Sequence, residues 1–144
     1  MKLVVDTNIV FSAIISPKGI ISDLLLNSYD RIEFFAPSYL EDELENHQSK
    51  LIEISGYTHA ELKFQKRSIL KRISLISVES VQPENMKRAF ELTHTIDHFD
   101  TPFIALAIEL KSPLWTGDKK LIKGLKEIGV DWLLSTKEVK QILE

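Results

Sequence analysis

Short apolar runs alternate with longer helical patterns along this chain, and that alternation constrains its fold more than any other feature. Five runs read as strands: Lys2–Asp6, Ile32–Ala36, Leu75–Val78, Leu114–Thr116 and Asp131–Leu134. Strands separated by helices indicate repeated β-α-β units and a mostly parallel sheet. Because such crossovers are right-handed, helices should cover both faces of the sheet. The sequence therefore predicts an α/β fold, a three-layer α/β/α sandwich around a mostly parallel five-stranded sheet.

Length and composition indicate one domain over residues 1–144. The chain has 144 residues, of which 44% are hydrophobic, enough for one sizeable core and too few for two. It contains no cysteine, which excludes a disulfide framework and a thiolate zinc site. No run is long enough to span a bilayer and no signal peptide is recognisable. We expect a soluble, cytoplasmic protein that does not interact with membranes.

Several helix boundaries are legible in the sequence. Three pairs fit a capping box, in which a hydroxyl and a carboxylate satisfy free backbone N–H groups: Ser38 with Glu41, Thr58 with Glu61, and Ser135 with Glu138. The segment Pro102–Leu110 is apolar almost all round, which predicts a helix packed deep against the sheet. The helix after Asp118 is expected to end at Gly129.

Three aspartates occupy the ends of predicted strands or the starts of predicted helices. Asp6 follows the first apolar run, Asp100 precedes the helix Pro102–Leu110, and Asp118 lies in the turn after Leu114–Thr116. Parallel sheets bind ligands at the carboxyl ends of their strands, so these acids are candidates for one site. Asp100 and Asp118 could equally be helix N-caps, a role that aspartate fills well.

Helix geometry selects a fourth acid from the stretch Glu41–Glu45. At 100° per residue, Leu40, Leu44 and Leu51 form the stripe that should face the core, and Glu43 lies close to it. The other acids of this stretch fit a solvated face. Glu43 is therefore the acid that we expect to join the site.

The ordered set of motifs resembles the PIN domain family. The motifs are Asp6-Thr7-Asn8, an acid on the helix after the second strand, Asp97-His-Phe-Asp-Thr-Pro-Phe-Ile-Ala-Leu-Ala107 and Thr116-Gly-Asp-Lys119. The resemblance covers essentially the whole chain. It is strongest to the prokaryotic branch that contains the VapC-type toxins of toxin-antitoxin pairs.

That resemblance implies a metal-dependent endoribonuclease that hydrolyses RNA phosphodiester bonds. Residue by residue, the family's acidic positions match Asp6, Glu43, Asp100 and Asp118, as metal ligands and catalytic groups. The polar positions that support them match Asn8 and Thr116, and Asp97 is a secondary acid that could reach a metal through water. The resemblance also implies a small protein antitoxin as partner and makes a homodimer plausible.

The chemistry of four clustered carboxylates favours a bound cation independently of the family. The carboxylates would repel one another and raise one another's pKa values unless a cation neutralised them. Hard oxygen ligands select Mg²⁺ or Mn²⁺. One such ion, or two, could activate water for attack on a phosphodiester and stabilise the leaving oxygen.

Charge distribution leaves room for a nucleic-acid substrate. The net charge is −3, but setting aside five acids of the predicted site leaves 18 basic residues against 16 acids, a balance of +2. Lys119, Lys120 and Lys123 follow Asp118 and could steer RNA toward the metal. A second basic set, for which a solvated helix face is the favoured interpretation, comprises Lys63, Lys66, Arg67, Lys71 and Arg72.

Two other functions remain as alternatives. A PIN fold could hold RNA or a protein partner as a catalytically weak binding module. A phosphatase of the haloacid dehalogenase type also begins with a strand and an aspartate, but its Asp-x-Asp-x-Thr motif would need different residues from Asn8 and Val10. That second alternative is disfavoured.

Overall fold

The computed structural model describes all 144 residues and confirms the α/β class. Its single sheet has five strands, all parallel, in the order β3-β2-β1-β4-β5. The strands are short: β1 (Lys2–Val5), β2 (Glu33–Pro37), β3 (Ile73–Ile76), β4 (Leu114–Trp115) and β5 (Leu133–Leu134). The predicted third strand, Leu75–Val78, begins two residues too late because Ile73 already pairs with Phe34 of β2.

Nine α-helices connect and follow the strands. Their bounds are α1 (Thr7–Ile15), α2 (Ile20–Asn27), α3 (Tyr39–Asn46), α4 (Gln48–Ser55), α5 (His59–Leu70), α6 (Pro83–Thr93), α7 (Thr101–Leu110), α8 (Lys119–Lys126) and α9 (Thr136–Leu143). Two short 3₁₀ turns occupy Val78–Ser80 and His98–Asp100. The apolar segment Pro102–Leu110 is the buried helix α7, as predicted.

Both faces of the sheet are buried, which explains the continuous apolar runs. Leu3 and Val5 of β1 face the core formed with α1 to α5 and α9, whereas Val4 faces the core formed with α6, α7 and α8. Successive side chains of a strand point to opposite faces, so each strand contributes to both cores. The result is the predicted three-layer sandwich.

The strand order places a crevice between β1 and β4. Along the chain, β1, β2 and β3 are laid down toward one edge of the sheet, and β4 and β5 then continue from β1 toward the other. The direction of the crossovers therefore reverses between β1 and β4. In parallel sheets, a crevice opens at the carboxyl ends of the strands at such a reversal. Asp6 and Thr116 follow directly on these two strands.

Two of the three predicted capping boxes are confirmed, at Thr58 with Glu61 and at Ser135 with Glu138. The prediction at Ser38 is wrong, because this residue has helical backbone angles (φ −60°, ψ −18°) and its side chain makes no cap bond. Its backbone N–H instead donates to the Ile76 carbonyl, 2.8 Å away. Ser38 is thus bonded through its backbone N–H to the neighbouring strand, and through its carbonyl to the Glu41 N–H in the first turn of α3, 3.0 Å away, with no contribution from its hydroxyl.

Helix α8 also ends three residues before the predicted Gly129. The backbone N–H of Val130 bonds to the Leu125 carbonyl at 2.9 Å, which closes the helix end through a turn in which Gly129 has a φ of +88°. Ile128 lies in this turn and is 57% exposed, so it does not continue the apolar face of α8.

No single helix is long and apolar enough to cross a membrane. Helices α1 and α2 pass the length and composition test only as a pair, and the chain bends by 105° between them.

Candidate active site

The crevice between β1 and β4 contains a polar cleft of about 160 Å³. All four predicted acids line it, although they come from four different parts of the chain. The lining residues are Asp6, Thr7, Asn8, Glu43, Asp97, Phe99, Asp100, Phe103 and Asp118. Folding therefore brings together the acids that the sequence singled out one by one.

Asp6 is the most buried acid of the cleft, with 4% of its surface exposed. Its Oδ2 accepts a hydrogen bond of 2.6 Å from the Thr116 hydroxyl, and its Oδ1 accepts one of 3.4 Å from the Asn8 backbone N–H. Burial raises the pKa of Asp6, although these hydrogen bonds act in the opposite direction. Asp6 is therefore held rigidly where strand β1 becomes helix α1.

Thr116 links the first acid of the cleft to the last. Its hydroxyl donates to Asp6 and accepts a 3.1 Å hydrogen bond from the backbone N–H of Asp118. Asp118 in turn caps α8, since its Oδ1 accepts from the Leu121 N–H at 3.0 Å. The N-cap interpretation is thus correct for Asp118, and the same residue also lines the cleft.

Glu43 reaches the cleft from α3 and is half-buried. Its Oε1 accepts a 2.5 Å hydrogen bond from the Thr7 hydroxyl, which fixes the carboxylate beside the start of α1. Burial raises the pKa of Glu43, the Thr7 bond lowers it, and the charge of Asp6 raises it. Thr7 lies between two predicted site residues, but sequence reasoning gave it no role.

Asp100 has the least satisfied carboxylate in the cleft. It precedes α7 but makes no side-chain cap bond, so the N-cap interpretation is wrong for this residue. Its Oδ2 is buried and has no hydrogen-bond partner. Burial and the charges of Asp6, Asp97 and other nearby acids raise the pKa of Asp100 from 3.8 to about 7. Buried polar atoms almost always have a partner, so this oxygen marks a position suited to a ligand.

Two of the predicted supporting residues, Asp97 and Asn8, have mainly structural roles at the rim of the cleft. Asp97 is exposed, and its Oδ1 accepts from the Phe99 backbone N–H at 3.0 Å. Asn8 supports Asp6 through its backbone N–H rather than through its amide side chain. Both residues line the cleft, so their side chains are within reach of a bound ligand.

The donor set suits a hard divalent cation, but the carboxylates are not closed around one point. No three acidic or histidine side chains lie close enough together, as they stand, to ligate one ion. A carboxylate has about four acceptor positions, so the bonds that Asp6 and Asp118 already accept leave lone pairs free. Together with the unpartnered oxygen of Asp100, these lone pairs are the oxygen donors that the cleft offers to a cation.

The three lysines predicted to contact substrate lie outside the cleft lining. Lys119, Lys120 and Lys123 are all exposed on α8, immediately after Asp118. The only ion pair in the chain joins Arg88 and Glu91, so these lysines have no carboxylate partner. They remain free to meet an anionic ligand.

Three aromatic residues near the acids were not among the predicted site residues. Phe99 and Phe103 line the cleft, the first exposed and the second buried. Burial and the charges of the nearby Glu43, Asp42 and Asp97 raise the pKa of Tyr39. Phe103 lies in the segment Pro102–Leu110, which was predicted to be a buried helix but was given no role in the site, whereas no periodicity marked Phe99 or Tyr39. For Phe99, the only available signal was its place between Asp97 and Asp100.

Comparison with known proteins identifies the family to which the chain belongs. The family model for the PIN domain matches residues 4–144, and the chain belongs to the PIN domain family. Members of that family are typically nucleases. None of the curated proteins is significantly similar in sequence.

A solved structure gives an independent view of the fold. The chain is similar to one in the crystal structure of VapBC2 from Rickettsia felis, bound to a DNA fragment from their promoter. The two share 20% sequence identity with a TM-score of 0.69, over 94% of this chain and 98% of the other. At that identity, the likeness supports the fold of this chain.

Proposed function

We propose that this PIN domain is a metal-dependent endoribonuclease that hydrolyses RNA phosphodiester bonds. The observation that carries the proposal is the buried, unpartnered Oδ2 of Asp100 in a cleft that three further carboxylates line. Four acids in one small cleft are unfavourable unless a cation offsets their repulsion.

Four residues would hold the metal: Asp6, Glu43, Asp100 and Asp118. A bound divalent cation supplies Lewis-acid activation of water and neutralises charge on the leaving oxygen. The Thr116 and Thr7 hydroxyls keep Asp6 and Glu43 oriented, which limits the reorganisation needed when the ion arrives. Asp100 would bring to the ion a buried oxygen that has no hydrogen bond to give up when the ion binds.

The expected ion is Mg²⁺ or Mn²⁺, present as one ion or two. All four ligands are carboxylates, and hard oxygen donors favour these metals over softer ones. Asp97 lines the same cleft, and we propose that it contacts a metal-bound water rather than the metal itself. This outer position is consistent with the backbone bond that it already accepts from Phe99.

We further propose that Lys119, Lys120 and Lys123 draw the RNA backbone toward the cleft. They are exposed, lack carboxylate partners and lie on the helix that Asp118 caps. Phosphate contacts of this kind position nucleic acid without reading its sequence. The acids then act on the phosphodiester that the lysines bring in.

A toxin role is the biological setting that we propose. The similar structure from Rickettsia felis contains VapBC2 on promoter DNA. By analogy, this chain is expected to bind a small antitoxin that covers the acidic cleft, and to form a homodimer. RNA and antitoxin are both made in the cytoplasm, where we expect the protein to act. Co-purification with the product of an adjacent reading frame, followed by light scattering, tests the partner and the dimer.

A binding module is the second candidate, and one observation favours it. The carboxylates do not close around a single point in this structure, as expected for a site that has no catalytic ion to hold. Such a module would bind RNA or a protein through the same cleft without cutting. Its melting temperature would not respond to divalent cations, because an ion that does not bind cannot stabilise the fold.

Cleavage of mixed cellular RNA tests the proposed activity. Wild type would be compared with Asp6→Asn in EDTA, Mg²⁺ and Mn²⁺, after removal of any bound partner. Asparagine keeps an acceptor for Thr116 and remains a good N-cap, so the variant should fold. We expect cutting by wild type that needs metal and is lost in the variant. Asp131→Asn, which neutralises an exposed acid outside the cleft, is the matched control and should cut normally.

A further inference from the structure

An exposed phenylalanine on the rim of the acidic cleft has no part in the proposed chemistry. Phe99 lines the cleft with the four carboxylates and is 54% exposed. Its ring can neither ligate a metal nor accept a strong hydrogen bond. Single exposed apolar rings are common on protein surfaces, and what distinguishes Phe99 is that its ring lines the same cleft as the four carboxylates.

The ring of Phe99 is held in place rather than left loose. Its backbone N–H donates to Asp97 Oδ1 at 3.0 Å, which fixes the 3₁₀ turn that carries it. The His98 ring lies against the Phe99 ring, with 4.2 Å between centroids and a tilt of 34°. A ring supported by another ring on one side is suited to stack a third on its open surface.

We propose that Phe99 stacks an unpaired RNA base next to the phosphodiester that is cut. The inference rests on the proposed ribonuclease function. Each base is one ribose away from its phosphate, so a phosphate at the carboxylates places a base near the rim. Bases within a duplex are already stacked on both faces, whereas an unpaired base is free to stack on an aromatic side chain. The substrate therefore presents an unpaired nucleotide at the cut.

An RNA base is a better occupant than an apolar side chain of a protein partner. The ring shares its cleft with four carboxylates, whose proposed ion attracts phosphate and not an apolar peptide. Phe64 provides the contrast: it is 66% exposed on α5, and its neighbours in a separate cavity are Tyr57, Ala60, Glu61 and Gln65. Phe64→Ala is the matched control because it removes an even more exposed ring from a surface outside the acidic cleft.

The test compares wild type, Phe99→Ala, Phe99→Trp and Phe64→Ala on two unpaired RNAs of one sequence. One RNA is intact, and the other lacks the base next to the cleaved bond. On intact RNA, we expect Phe99→Ala to lower kcat/KM by about tenfold to a hundredfold, the usual worth of one stacked base. Phe99→Trp should restore activity and Phe64→Ala should not change it. On the abasic RNA, wild type and Phe99→Ala should cleave equally.

Binding gives a readout that does not need cleavage. The same RNA would carry the fluorescent base 2-aminopurine at the abasic position, with Mg²⁺ present and Asp6→Asn as the background to prevent cutting. Stacking on Phe99 should quench the fluorescence, and Phe99→Ala should abolish the quenching. If wild type cuts nothing, quenching that depends on Phe99 still supports base stacking at the rim of the cleft, and the loss falls on the proposed cleavage, which points to the binding module.

Three outcomes would overturn the inference. Equal kcat/KM for wild type and Phe99→Ala on intact RNA would show that no base stacks there. An equal loss on intact and abasic RNA would assign Phe99 a structural role through Asp97 and Asp100. Quenching that survives Phe99→Ala would place the base elsewhere and leave the exposed ring for a protein partner.

Discussion

Three aspartates that look alike in the sequence have different environments in the structure. Asp118 caps its helix, Asp6 accepts bonds from a hydroxyl and a backbone amide, and Asp100 makes no cap bond at all. Each directly precedes a helix or a helical turn, so local sequence could not distinguish a cap from a ligand. The difference arises from tertiary burial, which leaves only Asp100 Oδ2 without a partner.

The raised pKa of Asp100 predicts a pH-dependent effect on stability. Its folded pKa is about 7, above the ordinary 3.8. Ionisation therefore destabilises the fold fully above pH 7, and that destabilisation disappears as the pH falls toward 4. Asp100→Asn should raise the free energy of unfolding in EDTA by the order of 1 kcal/mol at pH 8, and by less at pH 5. Urea denaturation at both pH values measures it, and an equal gain at pH 5 and pH 8 would contradict the assigned cause.

The Thr116 hydroxyl should be important for stability because it bonds both the buried Oδ2 of Asp6 and the part-buried backbone N–H of Asp118. Thr116→Val keeps the shape but leaves Asp6 Oδ2 without its donor and the Asp118 N–H without its acceptor. We expect a loss of about 1 to 3 kcal/mol of unfolding free energy. Thr116→Ser, which keeps the hydroxyl, should recover most of it. Equal denaturation midpoints for the valine and serine variants would show that the hydroxyl contributes little.

At the scale of elements, the sequence predicted types and order well and boundaries less well. The five strands and the buried helix α7 were legible because continuous apolar runs reflect burial on all sides. The absence of a cap at Ser38 was not legible, because its backbone N–H bonds to Ile76 of a distant strand. At the end of α8, Gly129 was recognised, but the closing turn before it, with the bond from the Val130 N–H to the Leu125 carbonyl, shortens the helix by three residues.

The contrast between Thr58 and Ser38 gives a test at this scale. Thr58→Ala removes a formed capping box and should lower the free energy of unfolding by about 0.5 to 2 kcal/mol. Ser38→Ala removes a side chain that makes no cap bond and should change stability by less than half as much. Urea denaturation of the two variants measures both. A larger loss at Ser38 would mean that its hydroxyl caps α3 after all.

Helix α8 is expected to act as the electrostatic guide for RNA. Reversing Lys119 and Lys120 to glutamate should raise KM and reduce the dependence of RNA affinity on salt concentration, since fewer counterions are then released. The matched control reverses Lys63 and Lys66, which carry the same charge on α5 outside the cleft lining. Filter binding across a salt series gives the slopes. An equal change in the salt dependence of RNA affinity in both double variants would show that the α8 lysines have no specific role in RNA binding.

At the scale of the whole molecule, topology gathers the site. The reversal of crossover direction between β1 and β4, within an all-parallel sheet, explains why acids from distant parts of the chain share one cleft. The sequence could predict Asp6 and Asp118 from strand ends and Glu43 from a helical stripe. It could not predict the Thr7 bond to Glu43, the nearby Tyr39 or the rim position of Phe99, because each depends on how separate elements pack.

The central claim, that the cleft binds a divalent cation through Asp100, is most directly tested by thermal denaturation with and without Mn²⁺. Wild type and Asp131→Asn should melt at higher temperature in millimolar Mn²⁺ than in EDTA, because an ion that binds only the folded state stabilises it. Asp100→Asn should lose most of that shift, although it folds and is at least as stable as wild type in EDTA. No Mn²⁺ shift in wild type, or an unchanged shift in Asp100→Asn, would contradict the account.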